Sequence, residues 1–219
     1  MKTALQAFLW ILSIFFSYQI YNSIMSPIDF NNVRDQRYTK VINRLKEIRK
    51  AQIAYKDVNG VYSNNFDSLI KFIDEGVFIL IEKRDSSYLE YDRTYGIDML
   101  KEVVLIDTLG TVNVKDSLFS NNDDYVNMAK IPMKEIDAEF SINADVLVKN
   151  SGSFNYNVPV FEVKVSKSIV LYDQNKDLLK QENKTISVDG VNGSEIVLGS
   201  MSNVSINGNW PTIFDVSKN

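Results

Sequence analysis

The chain contains neither cysteine nor histidine. Without thiols there is no disulfide framework, no thiolate nucleophile and no lipoprotein attachment. Without imidazoles the commonest general base and the commonest metal ligand are missing. Zero cysteine fits any compartment and removes only a cytosolic redox role. Also missing are a Gly-x-Ser-x-Gly elbow, a Ser-x-x-Lys pair in a workable setting and a glycine-rich phosphate loop. Carboxylates, lysines, serines and tyrosines remain, but in no constellation that declares a reaction. The expectation is a non-enzymatic protein with no cofactor and no metal. An anchored hydrolase would need convergent carboxylates or a Ser-Lys pair in a cleft. Positive charge is short as well: the net charge of -4 gives no general pull toward nucleic acid, and none is expected as a partner.

Charge is missing most conspicuously from the N-terminus, where no Asp, Glu, Lys or Arg stands between Lys2 and Met25. Ala4 to Met25 is nearly continuous apolar sequence, Leu5, Phe8 to Leu12 and Ile14 to Phe16 leading on through Ile20 and Ile24. As a helix this segment rises about 33 Å, at roughly 1.5 Å per residue, enough for a hydrocarbon core of about 30 Å. Tyr18 and Tyr21 suit an interfacial belt. A secretory signal has an apolar core of about 7 to 15 residues and a small-x-small cleavage site. Here the run is longer and ends at Ser26-Pro27, so residues 4–25 are expected to meet membrane lipid as a retained anchor.

Orientation follows less directly. Lys2 and the amino terminus stand on one side, Arg34, Arg37, Lys40 and Arg44 on the other, which taken literally puts the domain in the cytoplasm. Long folded domains translocate largely regardless of such charges, and a short tail headed by Lys2 looks like a signal-anchor. The expectation is the inner membrane, single-pass, with the C-terminal domain periplasmic.

Beyond the anchor lie about 190 residues of ordinary globular composition. Eight of the 24 basic residues fall between Arg34 and Lys56, interleaved with Asp35, Glu47 and Asp57 as on a solvated helix face. Pro27 marks a boundary, with Asp29 or Asn31 able to cap a second helix over about Asn32 to Val58, and the anchor is expected to run on into it, kinked at Pro27, as a long amphipathic stem. Tyr38, Val41, Ile42, Leu45, Ile48, Ile53 and Tyr55 recur mostly at threes and fours and draw one stripe on it. The stripe either packs onto the chain's own domain, the simpler outcome, or meets another copy or subunit. The assembly reading assigns the second use to Tyr38, Val41, Leu45, Ile48 and Tyr55.

Asn59-Gly60 stops this helix, and Ser63-Asn64-Asn65 caps a short one carrying Phe66, Leu69, Ile70 and Ile73 and ended by Gly76. From Val77 the pattern is that of strands: Val103 to Ile106, then Leu109 to Val114 near a glycine turn. Asp123 to Lys134 reads as irregular. Phe140, Ile142, Ala144, Val146 and Val148 alternate with mostly polar neighbours, and Asn150 to Ser153 turns the chain into Phe154, Tyr156, Val158 and Val160, an antiparallel hairpin. Val163, Val165, Ile169 and Leu171 extend the sheet, and Thr185 to Val188 and Glu195 to Leu198 add short strands. The fold class is α+β: an anchor over residues 1–26, stem and short helix over 27–76, and a β-rich domain over 77–219.

Two resemblances rest on these residues. The apolar helix, Pro27, Ala51-Gln52-Ile53-Ala54-Tyr55, Asn59-Gly60-Val61-Tyr62 and Phe66-Asp67-Ser68-Leu69 together resemble the front half of type IV pilins and type II secretion pseudopilins. Across most of its length the chain is similar to single-pass envelope proteins of Bacteroidota, through Arg44 to Arg49, Asn157 to Lys164, and Gly199-Ser200-Met201 with Gly208-Asn209-Trp210. Pilins carry a glycine before the cleavage point and a glutamate inside the apolar helix; this anchor has neither. The resemblance therefore implies an unprocessed component, Met1 retained, in a pilin-like or secretion-type envelope assembly, with other membrane or periplasmic subunits as partners. The alternative is an anchored periplasmic domain that recruits a client protein or cell-wall component through sheet aromatics among Phe154, Tyr156, Phe161 and Trp210. Asp107-Thr108-Leu109 and Asp116-Ser117-Leu118 resemble the acceptor used for O-glycosylation of such envelope proteins, which makes Thr108 and Ser117 the candidate positions. Asp173 to Asp177 offers the first oxygens of a calcium loop, but Leu178 and Lys184 stand where glycine and glutamate are required, so a polar turn is expected.

Overall fold

The computed structural model describes residues 2–120, 122–133, 135–151 and 154–215. One helix, α1 (Lys2–Asn59), runs from the apolar segment through the stem without a break. Pro27 lies inside it, so the anchor continues into the stem as expected, while neither Asp29 nor Asn31 caps a separate second helix. A proline in a helix interior removes one hydrogen bond at a cost of about 3 kcal/mol, which the long flanking turns absorb. At roughly 1.5 Å per residue the helix is about 87 Å long. It ends at Gly60, whose φ of 78° is the left-handed conformation that Asn59-Gly60 predicted.

Its two halves live in different surroundings. From Leu5 to Ile24 the apolar side chains are exposed on every face, and the segment is long and apolar enough to cross a membrane. From Phe30 onward one stripe is buried: Tyr38, Val41, Ile42, Leu45, Ile48, Ala51 and Ala54. The sequence stripe had Ile53 and Tyr55 at its end, but these are half-buried, and the small Ala51 and Ala54 face the core instead.

Helix α2 (Phe66–Glu75) folds back on the stem, its first turn held by Asn65, whose side chain accepts from the Ser68 amide at 2.7 Å. Phe66, Leu69 and Ile73 are its buried face. Strands β1 (Val77–Asp92) and β2 (Ile97–Asn113) then form a two-stranded antiparallel ribbon. The two short strands expected at Val103 to Ile106 and Leu109 to Val114 are one strand: the register shift beside Leu80 and Ile81 leaves Leu109 as a bulge, and the chain does not turn at Gly110. A one-turn-and-a-half helix α3 (Val114–Phe119) and a 3₁₀ turn (Asp124–Asn127) follow.

The second sheet is antiparallel, in the order β3 (Ser141–Ser151), β4 (Phe154–Ser166), β5 (Glu195–Gly199). The predicted hairpin is there, its turn at Gly152-Ser153 outside the described residues. Ile169 and Leu171 do not extend it. Ser166 accepts from the Ser168 amide at 3.3 Å and diverts the chain into α4 (Lys167–Val170), before α5 (Lys176–Glu182). Thr185 to Val188 is irregular rather than a strand, with Ile186 at 93% and Val188 at 90% exposure. Alternation over four residues carries no strand without a neighbour to pair with. Stem, α2, α3 and the three-stranded sheet share one core from Phe30 to Trp210, so the boundary at Gly76 separates elements and not cores.

Candidate functional site

The stem stripe is spent on the chain's own core. Tyr38, Val41, Leu45 and Ile48 are at most 1% exposed, and Tyr55 is half-buried with its ring 5.2 Å from Phe72, edge to face. Tyr38, Val41, Leu45 and Ile48, expected to meet a partner, are instead packed in the core the stem shares with α2, α3 and the sheet, and Tyr55 is partly covered by α2.

What holds the stem is partly ionic. Lys167 is fully buried, and its ammonium donates to Glu182 Oε1 at 3.0 Å, the Glu182 carbonyl at 3.0 Å and the Val191 carbonyl at 2.7 Å. Tyr38 donates its hydroxyl to Glu182 Oε1 at 3.2 Å, and Arg34 reaches Oε2 at 3.1 Å. Burial pulls the Lys167 ammonium below its ordinary range against the attraction of Glu182, and pushes the Tyr38 hydroxyl up. All three ammonium donors are occupied, so the group is a clamp between stem, α4 and α5. One turn along, Arg37 grips Asp173 through two bonds of 2.6 and 2.8 Å and holds its carboxyl down to about 2. Asp173 is thus an ion-pair partner, and Asn175, the next oxygen of the calcium-loop pattern, caps α5 by accepting from the Asp177 amide at 2.8 Å.

Two features carried no signal that sequence reasoning used. Gln52, buried mid-helix, donates to the Ser63 carbonyl at 2.8 Å and accepts from the Ser63 amide at 2.9 Å, pinning the turn after the stem. Asn209 stands beside β5 like an extra strand residue: Oδ1 accepts from Val197 at 2.9 Å, Nδ2 donates to Asn192 and Glu195 carbonyls, and the backbone amide donates to Val197 at 3.0 Å. Gly199 and Gly208 have structural roles, since a Cβ on Gly199 would lie 2.2 Å from the Phe161 carbonyl oxygen and one on Gly208 2.1 Å from the Trp210 ring.

The largest unspent surface is the ribbon. No residue of β1 or β2 is buried, and among the described residues the ribbon meets the core at its base, where Phe78 packs against it. Sixteen residues at about 3.3 Å each make it an arm of about 53 Å. Ile79, Leu80, Ile81, Leu89, Leu100 and Val104 to Ile106 are exposed along it. An isolated two-stranded ribbon is at best marginally stable in water, and a long apolar one is a template for pairing. At its base the Val114 amide donates to the Gly76 carbonyl at 3.0 Å, closing the core behind it. Thr108 lies in this ribbon, exposed beside the Leu109 bulge, while Ser117 is exposed on α3, the helix that directly follows β2.

Of the sheet aromatics, Phe161 and Trp210 are buried and Tyr156 is half exposed; the Phe154 side chain lies outside the described residues. Comparison of the chain with protein-family models, with curated proteins and with solved structures finds no match.

Proposed function

We propose that the chain is a non-enzymatic structural subunit of a pilin-like or secretion-type envelope assembly, held in the inner membrane by residues 4–25 with its C-terminal domain on the periplasmic side. The observation that carries this is the unbroken α1: apolar and exposed on all faces over its first turns, then locked into the core from Phe30 by the stripe and by the clamp at Glu182. A flexible tether would serve to localise a domain. A rigid rod continuous with the core fixes the domain's height and tilt, which is what a subunit packed among others requires. The exposed ribbon supports the same reading, since it offers an apolar arm that the monomer leaves open.

The alternative of an anchored domain recruiting a client by its sheet aromatics keeps Tyr156 and loses Phe161 and Trp210 to the core. Affinity purification from the native membrane in mild detergent tests the choice. Stable co-purification of other membrane or periplasmic subunits is the expected result, and recovery of the chain alone, as a monomer of 25.0 kDa or as a bare homodimer, would overturn it. Protease added to spheroplasts should digest the domain; protection there would contradict the periplasmic side.

A further inference from the structure

We propose that the ribbon's partner is a second copy of this chain, joined edge to edge through β2 in an antiparallel pairing about a two-fold axis at Val104. The proposal deepens the assembly reading and rests on it in one respect, that copies meet in the same membrane.

The two edges of the ribbon differ. The middle of β1 is six consecutive polar residues, Glu82-Lys83-Arg84-Asp85-Ser86-Ser87, and charge along an edge is how proteins discourage pairing. Directly across the ribbon, β2 presents Val103-Val104-Leu105-Ile106 between Glu102 and Asp107, with Val104 at 55% exposure and no proline or glycine from Ile97 to Leu109. This is a β-branched, uncharged edge, open along its outer side.

Charge then selects both the partner and the register. With Val104 opposite Val104 of the second copy, Val103 meets Leu105, Leu100 meets Thr108, and Lys101 meets Asp107, each twice by symmetry. Within one copy Lys101 already holds Glu90 at 2.7 Å, and Arg84 holds Asp107, all four on one face of the ribbon. The pairing therefore sets Lys101, already beside Glu90, against Asp107 of the second copy, whose own neighbours across the ribbon are Glu82, directly opposite, and Arg84, which bridges both acids, and repeats the contact on the other side of the axis. Opposite charges directly across a strand pair stabilise it, and like charges do the reverse. Centring on Val103 or Leu105 instead, the neighbouring registers that keep the same face, sets Lys101 opposite Leu105 or Leu109 and leaves no cross-copy ion pair. The bulge at Leu109 ends the regular strand, so the pairing covers the nine residues from Leu100 to Thr108. Such a two-fold interface closes on itself, making a dimeric unit.

The absence of native cysteine makes the test clean. Val104→Cys, in the full-length chain in its membrane, places two cysteines opposite each other across the axis, at a Cα separation of about 4.5–5.5 Å, within the range a disulfide spans. Under mild oxidation it should give at least 10-fold more disulfide-linked homodimer than Ser86→Cys on the blunted edge. Equal yields, or linkage of Val104→Cys to a different polypeptide, would overturn the proposal. A second arm does not depend on oxidation. Differently tagged copies carrying Val104→Lys should not co-purify with each other, nor should copies carrying Val104→Glu, whereas a mixture of the two should; failure of the mixture to pair, with circular dichroism unchanged, also overturns it. A homodimer with no larger assembly would leave this pairing standing and count against the assembly reading. A large native assembly with Val104→Cys no more reactive than Ser86→Cys would do the opposite.

Discussion

Lys167 illustrates how much one buried charge can hold. Its removal leaves Glu182 in the core with a weakened set of partners, and breaking a buried pair in this way costs about 3–5 kcal/mol. Lys167→Met should therefore lower the melting temperature sharply, and Lys167→Met/Glu182→Leu should recover only part of the loss, because Tyr38 and Arg34 then lose their acceptor, as thermal unfolding in detergent would show. The Arg37–Asp173 pair makes a pH prediction. The Asp173 carboxyl is held down to about 2, below its ordinary value near 4, so its stabilisation is present above the ordinary value and is lost as pH falls toward about 2. Because Asp173 is 39% exposed, the effect is on the order of 1 kcal/mol. The stability gap between the native chain and Arg37→Gln should shrink over about pH 4 to about pH 2, and a gap independent of pH would contradict the assignment. At Gly208 a methyl group meets the Trp210 ring, and Gly208→Ala should cost about 1–3 kcal/mol by overpacking. Residues of this kind were hidden in the sequence. Lys167 sits next to Ser166 in a charged stretch and reads as solvated; its partners lie 15 and 24 positions away and only the fold brings them together.

Elements were more legible where their pattern was local. Gly60, the Asn65 cap and the buried face of α2 follow from spacing and turn chemistry, and the β3–β4 hairpin follows from alternation. Where an element depended on its neighbours, reading failed. Thr185 to Val188 has strand character and no strand to pair with, and Ile169 and Leu171 were turned out of the sheet by the Ser166 cap. The ribbon was visible as strands and invisible as a free arm, because nothing in an apolar run says whether a cover exists. Its independence from the core gives a sharp prediction. Since none of its residues is buried and Val114 already bonds Gly76 at its base, replacing residues 79–111 with a two-residue Asn-Gly turn should leave the melting temperature within a few degrees. Loss of cooperative unfolding in this deletion would mean that the ribbon belongs to the core after all.

For the molecule as a whole, α1 decides the architecture. The sequence stripe was correctly placed on a helix, and its use was not legible: the same spacing serves a core or a partner, and burial of Tyr38, Val41, Leu45 and Ile48 settles it as core. That burial leaves the exposed ribbon as the surface on which the proposed assembly contact would rest, and the stem as the helix that joins a membrane-length apolar segment to the core. The most direct measurement of the central claim is the detergent-corrected mass, by light scattering, of the full-length protein extracted from its native membrane. The account predicts a discrete species well above the 25.0 kDa of one chain, containing at least two copies, and a monodisperse particle of one chain alone would contradict it.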